Sequence, residues 1–130
     1  MADWDELSRD SWRAAQELRD KGRLRSSVSR AYFAAYCGAT HALSKKHLRY
    51  PKGRNNPPHE AVDTLVENYL SEYPRNTRRR VGNALRILRN ARETADYRPG
   101  HTVDLELTIN WFHHAALVIK AFGIFGMKER

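Results

Sequence analysis

Residues 24–46 read Leu-Arg-Ser-Ser-Val-Ser-Arg-Ala-Tyr-Phe-Ala-Ala-Tyr-Cys-Gly-Ala-Thr-His-Ala-Leu-Ser-Lys-Lys. Stepped at about 100° per residue, Val28, Ala31, Tyr32, Ala35, Ala39, Ala42 and Leu43 form one apolar stripe. The opposite side carries Phe33, Ala34, Cys37 and Gly38 and is apolar too. A helix apolar on two sides belongs at the centre of a bundle, and its small residues let neighbouring helices approach closely. Working outward, a first helix is expected from about Trp4 to Asp20, with Asp3 and Glu6 spaced as a capping box and Gly22 as its stop. His47 to Pro57 reads as a loop, broken by Tyr50-Pro51-Lys52-Gly53 and Asn55-Asn56-Pro57-Pro58. A third helix follows from about Pro58 to Ser71 and breaks at Glu72-Tyr73-Pro74. A fourth runs from about Asn76 to Tyr97 and stops before Pro99-Gly100. A fifth starts after Thr102 as N-cap and continues to about Phe125. The pattern predicts an all-α fold, an antiparallel up-and-down bundle of about five helices, in one domain over residues 1–130.

The composition of the 130 residues narrows the function classes. Apolar residues make up 41% and charged residues 29%, a globular balance rather than a disordered one. The single cysteine, Cys37, excludes an internal disulfide and reads as a small core residue. The opening Met-Ala-Asp-Trp-Asp-Glu lacks the apolar run of a signal peptide, and the Ala115–Met127 stretch, interrupted by Lys120, is too short to span a bilayer. A cytoplasmic protein with no membrane partner is expected. The formal net charge is +8 and the isoelectric point is near 10. No acid occurs between Asp20 and Glu60, where Arg23, Arg25, Arg30, Lys45, Lys46, Arg49, Lys52 and Arg54 lie. None occurs between Glu72 and Glu93, where Arg75, Arg78, Arg79, Arg80, Arg86, Arg89 and Arg92 lie. Such excess favours a polyanion partner, since each neutralised phosphate releases a counterion and arginine forks fit phosphate oxygens. The plainer alternative is a solvated basic surface.

Few motifs point to a cofactor. His113 and His114 are adjacent and diverge by about 100°, and His41 and His47 diverge as well, so no helical metal pair is formed. No phosphate-cradling glycine loop is present, and no cofactor or metal is expected. Arg30 lies within the central helix, where a buried guanidinium needs a partner unless its stem carries it to solvent. On the fourth helix Arg89, Arg92, Glu93 and Asp96 share a face, and Leu88, Ala91 and Ala95 face the core. Arg92 and Asp96 are spaced as an i, i+4 ion pair. The same residues with Tyr97 also suit a half-buried cluster at a cleft, with Arg30 nearby. Tyr32, Phe33, Trp111 and Phe112 read as core rather than as a ligand platform.

Three segments in order resemble the HEPN superfamily, in its small stand-alone bacterial and archaeal members. Ser29-Arg30-Ala31-Tyr32-Phe33-Ala34-Ala35-Tyr36 is similar to the family's Arg-Ala-Tyr-Tyr-Ala signature on its second helix. Pro58-His59-Glu60-Ala61-Val62 is similar to its histidine-containing entry to the third helix. Leu88-Arg89-Asn90-Ala91-Arg92-Glu93-Thr94-Ala95-Asp96-Tyr97 is similar to the Arg-x-x-Ala-Asp-Tyr ending of the fourth. The resemblance covers about residues 4 to 125. It implies a bundle that dimerises and binds RNA or a nucleotide, often as a metal-independent ribonuclease toxin paired with a small nucleotidyltransferase. In such members an Arg-x(4–6)-His motif supplies the chemistry. That motif is not present here: Thr94, Ala95 and Asp96 follow Arg89, Tyr97, Arg98 and Pro99 follow Arg92, and His101 lies beyond Pro99-Gly100. The resemblance nominates Arg89 and Arg92 to hold phosphate, Asp96 to orient Arg92 or Arg30, and Tyr97 to hydrogen-bond or stack. Arg78, Arg79, Arg80, Lys52 and Arg54 would supply sequence-independent attraction to RNA. A non-catalytic module that dimerises or docks a nucleotidyltransferase is the other expectation.

Overall fold

A computed structural model describes residues 3–125. Five α-helices form an all-α bundle: α1 (Trp4–Asp20), α2 (Leu24–Ser44), α3 (Val62–Tyr69), α4 (Arg75–Tyr97) and α5 (Leu105–Ala121). A single 3-10 turn, Pro51–Gly53, interrupts the loop after α2. Helix α2 packs against all four others. Its apolar residues Ala31, Tyr32, Ala35, Tyr36, Cys37, Ala39 and Leu43 are buried in the main core with Val62, Val66, Leu85, Leu88, Phe112, Ala115 and Val118.

The α1–α2 hairpin is closed by small residues. Ser8, Ser11 and Ala15 of α1 are buried. The Ser8 hydroxyl donates to the Ala34 carbonyl at 2.6 Å, and a side chain at Gly38 would meet Ser8 Oγ at 3.4 Å. The turn uses Gly22 at φ +77°, with Gly22 N–H donating to Arg19 O and Arg23 N–H to Leu18 O. That bond pair is the Schellman arrangement, which glycine accommodates because it has no Cβ to clash in the left-handed region.

Several helix ends differ from the sequence expectation, each for a local reason. Asp3 takes the extended N-cap backbone, but no side-chain cap bond forms, so the Asp3–Glu6 capping box is not made. The third helix begins at Val62 rather than Pro58, and ends at Tyr69 rather than Ser71. Residues 58–61 form a turn closed by Ala61 N–H to Pro58 O, and the His59 carbonyl is taken by Arg89 instead of by a helical N–H. The N-cap of α5 is Asp104, not Thr102: its carboxylate accepts from Leu107 N–H at 2.9 Å. The same helix stops at Ala121 rather than Phe125, because Gly123 at φ +65° closes a second Schellman turn through Gly123 N–H to Lys120 O and Ile124 N–H to Ile119 O. Among the described residues no helix is long and apolar enough to cross a membrane.

Candidate functional site

Two basic residues of α4 are held in opposite ways. Arg89 turns toward α3. Its Nη1 donates to Asp63 Oδ1 at 3.0 Å and to the His59 carbonyl at 2.8 Å. Asp63 is only 4% exposed, and its second oxygen accepts from Arg86 Nε at 3.0 Å. Arg86 also reaches Glu67 at 3.1 Å. Glu67 in turn lies across Gly82, where any Cβ would come within 2.6 Å of its carboxylate. Burial alone pushes the Asp63 carboxyl up, but the Arg89 hydrogen bond, together with the charges of Arg89 and Arg86, outweighs it and holds the carboxyl below its ordinary value. Arg89 is thereby a strut between α4, α3 and the turn bearing His59.

Arg92, one turn on, pairs along its own helix instead. Its Nε lies 3.3 Å from Asp96 Oδ2, and its side chain remains 36% exposed. Asp96 also accepts from Ser29 Oγ of α2 at 3.1 Å. The i, i+4 ion pair anticipated from spacing is present and is tied across to α2. The terminal nitrogens of Arg92 have no partner among the described residues.

These groups line a cleft of about 440 Å³ formed by Leu18, Ser26, Ser29, Arg30, Tyr32, Phe33, His59, Arg92 and Asp96. On α2, Ser26, Ser29, Arg30 and Phe33 are spaced i, i+3, i+4, i+7, one continuous strip. Leu18 of α1 stands on one side and Arg92 and Asp96 of α4 on the other. Arg30 is exposed in this strip and has no hydrogen-bond or ion-pair partner among the described residues. The expectation that it is paired inside the bundle is therefore corrected. Its buried neighbours Ala31, Tyr32, Ala34 and Ala35 lie on the faces that other helices cover. Phe33 is half-buried: it packs against the main core, as expected, and also borders the cleft.

His59 is the residue to which sequence reasoning gave no role. The signal lay in the Pro58-His59-Glu60 segment, but nothing in the sequence tied that segment to α4. Its ring stacks on Tyr36 at 4.1 Å, and Nδ1 sits 2.6 Å from the Tyr32 hydroxyl. Burial raises the Tyr32 hydroxyl above its usual value, so it stays protonated. The protonated hydroxyl serves either tautomer of the neutral imidazole, donating to a bare Nδ1 or accepting from Nδ1–H. Burial, then the Arg92 and Arg89 charges, against an opposing Glu60, lower the His59 pKa, so the ring is neutral at pH 7. The site thus offers arginine N–H groups, the Ser26 hydroxyl and a neutral imidazole: a cationic hollow suited to an oxyanion. No group of His, Cys, Asp or Glu able to hold a metal occurs among the described residues.

The remaining predicted residues disperse. Tyr97 is 68% exposed and does not line the cleft. Lys52 and Arg54 are exposed and border a separate hollow of about 290 Å³ with Asn56, Pro57, Pro58, Glu60 and, again, His59. Arg79 and Arg80 are exposed on α4, about 18 Å along the axis from Arg92. Arg78 is used internally: its Nη1 donates to the Glu67 carbonyl near the end of α3 at 2.9 Å, and its Nε is buried without a hydrogen-bond partner. Arg78 thus ties α4 to the end of α3. No protein-family model, curated protein or solved structure matches the chain.

Proposed function

We propose that this chain is a HEPN-type bundle that binds RNA or a nucleotide in the cleft between α1, α2 and α4. In that reading it is a homodimer and the RNA-targeting, toxin-type half of a pair with a small nucleotidyltransferase. The observation that carries the reading is the set of unengaged donors in one cleft, the Arg30 guanidinium and the terminal nitrogens of Arg92, with the His59 imidazole beside them. Arg92 and Arg30 hold phosphate oxygens, and Asp96 orients Arg92. Arg89 acts through His59, whose backbone it fixes, and is a positioning residue. Lys52, Arg54, Arg79 and Arg80 add attraction that does not depend on sequence. Tyr97 stands exposed at the end of α4, available to a base or to the partner.

Cleavage at this site would be a metal-independent transesterification. The ribose 2′-hydroxyl gives its proton to His59 and its oxygen attacks the adjacent phosphorus to close a 2′,3′-cyclic phosphate. The P–O5′ bond breaks, the 5′-oxygen leaves as a hydroxyl with a proton from water, and the arginines stabilise the charge on the non-bridging oxygens. Service of His59 as a base requires the tautomer with Nδ1–H given to the Tyr32 oxygen, which leaves Nε2 free to take a proton. The test is purified protein with RNA in excess EDTA. Arg92→Ala is expected to lower RNA affinity by roughly ten- to a hundredfold, the range for a hydrogen bond to a charged group, and to abolish any cleavage. Cleavage or affinity unchanged in that variant rejects the site.

The Ser29–Asp96–Arg92 link favours a second reading, a non-catalytic module in which this cluster holds α2 to α4. Leu105 and Ile109, exposed one turn apart on α5, would give such a module an apolar face for a second copy or a nucleotidyltransferase. Under that reading Asp96→Ala lowers the melting temperature and leaves RNA affinity alone, while a phosphate site predicts that Arg92→Ala lowers affinity with little loss of stability.

A further inference from the structure

A site built for phosphate alone has no use for an aromatic wall, yet this cleft has one. Phe33 borders it, half-exposed, beside the two arginines. The Phe33 ring packs on Tyr36 with centroids 6.1 Å apart and planes 21° apart, and Tyr36 stacks in turn on His59. Tyr36 itself is buried and anchored, donating to the Pro57 carbonyl at 2.5 Å and accepting from Asn56 Nδ2 at 2.9 Å. Tyr32, Phe33 and His59, the three rings that line the cleft, all pack on buried Tyr36, so the platform has one shared backing in place before any ligand arrives. Arg30 precedes Phe33 by three residues on the same strip of α2, a rise of about 4.5 Å. The volume of about 440 Å³ lies within the range of small-molecule sites.

We infer that the cleft is a nucleotide subsite in which a nucleobase stacks on Phe33 while its phosphate is held by Arg30 and Arg92. This rests on the reading of the cleft as a phosphate site and adds the base. The shared chemistry is an unpaired base one ribose from a phosphate, supplied either by a free nucleotide or by a nucleotide within a single strand. Ser26 presents a hydroxyl on the same strip, within the cleft, to the ribose or the base edge, while the Ser29 hydroxyl donates to Asp96.

The test measures binding of AMP, of a six-nucleotide oligoadenylate and of its fully abasic ribose-phosphate counterpart to the intact chain. Wild-type protein, Phe33→Leu, Phe33→Trp and Arg92→Ala are compared, with folding checked by thermal melting. Stacking on an aromatic side chain predicts that Phe33→Leu weakens oligoadenylate about tenfold, while Phe33→Trp retains it. Both leave the abasic strand unchanged, and Arg92→Ala weakens every anion. Equal affinity of wild-type protein for oligoadenylate and the abasic strand overturns the base subsite while leaving the phosphate site standing. Equal loss of both strands in Phe33→Leu overturns it too. Failure of all three probes to bind wild-type protein overturns the phosphate reading beneath it. AMP binding as tight as oligoadenylate assigns the subsite to a free nucleotide, and AMP binding far weaker assigns it to a strand.

Discussion

Asp63 is a carboxylate with almost no water around it and two guanidiniums on its two oxygens. Such a group is costly to bury alone, so removing its charge strands Arg86 and Arg89 rather than merely deleting a contact. Because those side chains keep 44% and 24% of their exposure, water recovers part of the loss. Asp63→Asn is expected to cost about 2 kcal/mol and to lower the melting temperature by about 5–10 °C. The sign of the pH dependence follows from the lowered carboxyl. Stability from Asp63 is present above its ordinary value of 3.8 and is lost as pH falls through the lower folded value. His59, lowered from 6.5, acts in the same direction nearer neutrality: its contribution is present above 6.5 and declines as acid forces the buried ring to charge. Denaturant titrations from pH 7 to pH 3 should show a steep acid limb in wild-type protein and a flatter one in Asp63→Asn. Parallel limbs would place the acid sensitivity elsewhere. The sequence made the shared face of Arg89, Arg92 and Asp96 legible, because spacing within one helix is enough for that. It could not divide the two arginines, since the residue that claims Arg89 lies 26 positions away on α3.

At the scale of elements, chain breakers were readable and capture of backbone by distant side chains was not. Gly22, Pro74 and Pro99-Gly100 each announce a boundary through their own backbone preferences, and the α1 and α4 limits follow within a residue. The start of α3 shifted because Arg89 holds the His59 carbonyl. A larger example is Arg25, in the first turn of α2. Its guanidinium donates to the carbonyls of Thr94 and Ala95 at 3.2 and 3.0 Å, to those of Arg98 and Pro99 at 3.2 and 3.4 Å, and to that of His101. The last carbonyls of a helix have no intrahelical donors, and a cation there also offsets the helix dipole. One side chain thus caps α4 and fastens the 98–101 turn to α2, on the border of the Asp96 wall. Arg25→Ala should fray this end at a cost of about 1–2 kcal/mol. Hydrogen exchange of the Arg98 and His101 amides, which bond Thr94 O and Arg98 O, should speed up while amides near Val81 stay protected. Uniform acceleration along α4 would instead mean that Arg25 supports the whole helix.

For the whole molecule, net charge overstates what is available to a polyanion. Arg25, Arg78, Arg86 and Arg89 are occupied by backbone carbonyls and buried carboxylates, so a basic sequence segment need not be a basic surface. The cations that border the cleft and the adjoining hollow at His59 are Arg30, Arg92, Lys52 and Arg54. If these meet a single strand, each neutralised phosphate contributes about −0.7 to the slope of log affinity against log salt. The expected slope is about −3, and it should shrink by about 0.7 in Lys52→Ala or Arg54→Ala without a change in melting temperature. A slope more than twice as steep would mean that RNA lies along Arg79, Arg80 and the rest of the α4 surface as well. A slope near zero would remove the ionic basis for nucleic-acid binding and leave the charged cluster as a brace between helices. The magnitude of the slope therefore distinguishes a bounded site from a diffuse basic coat, a distinction that the +8 total does not make.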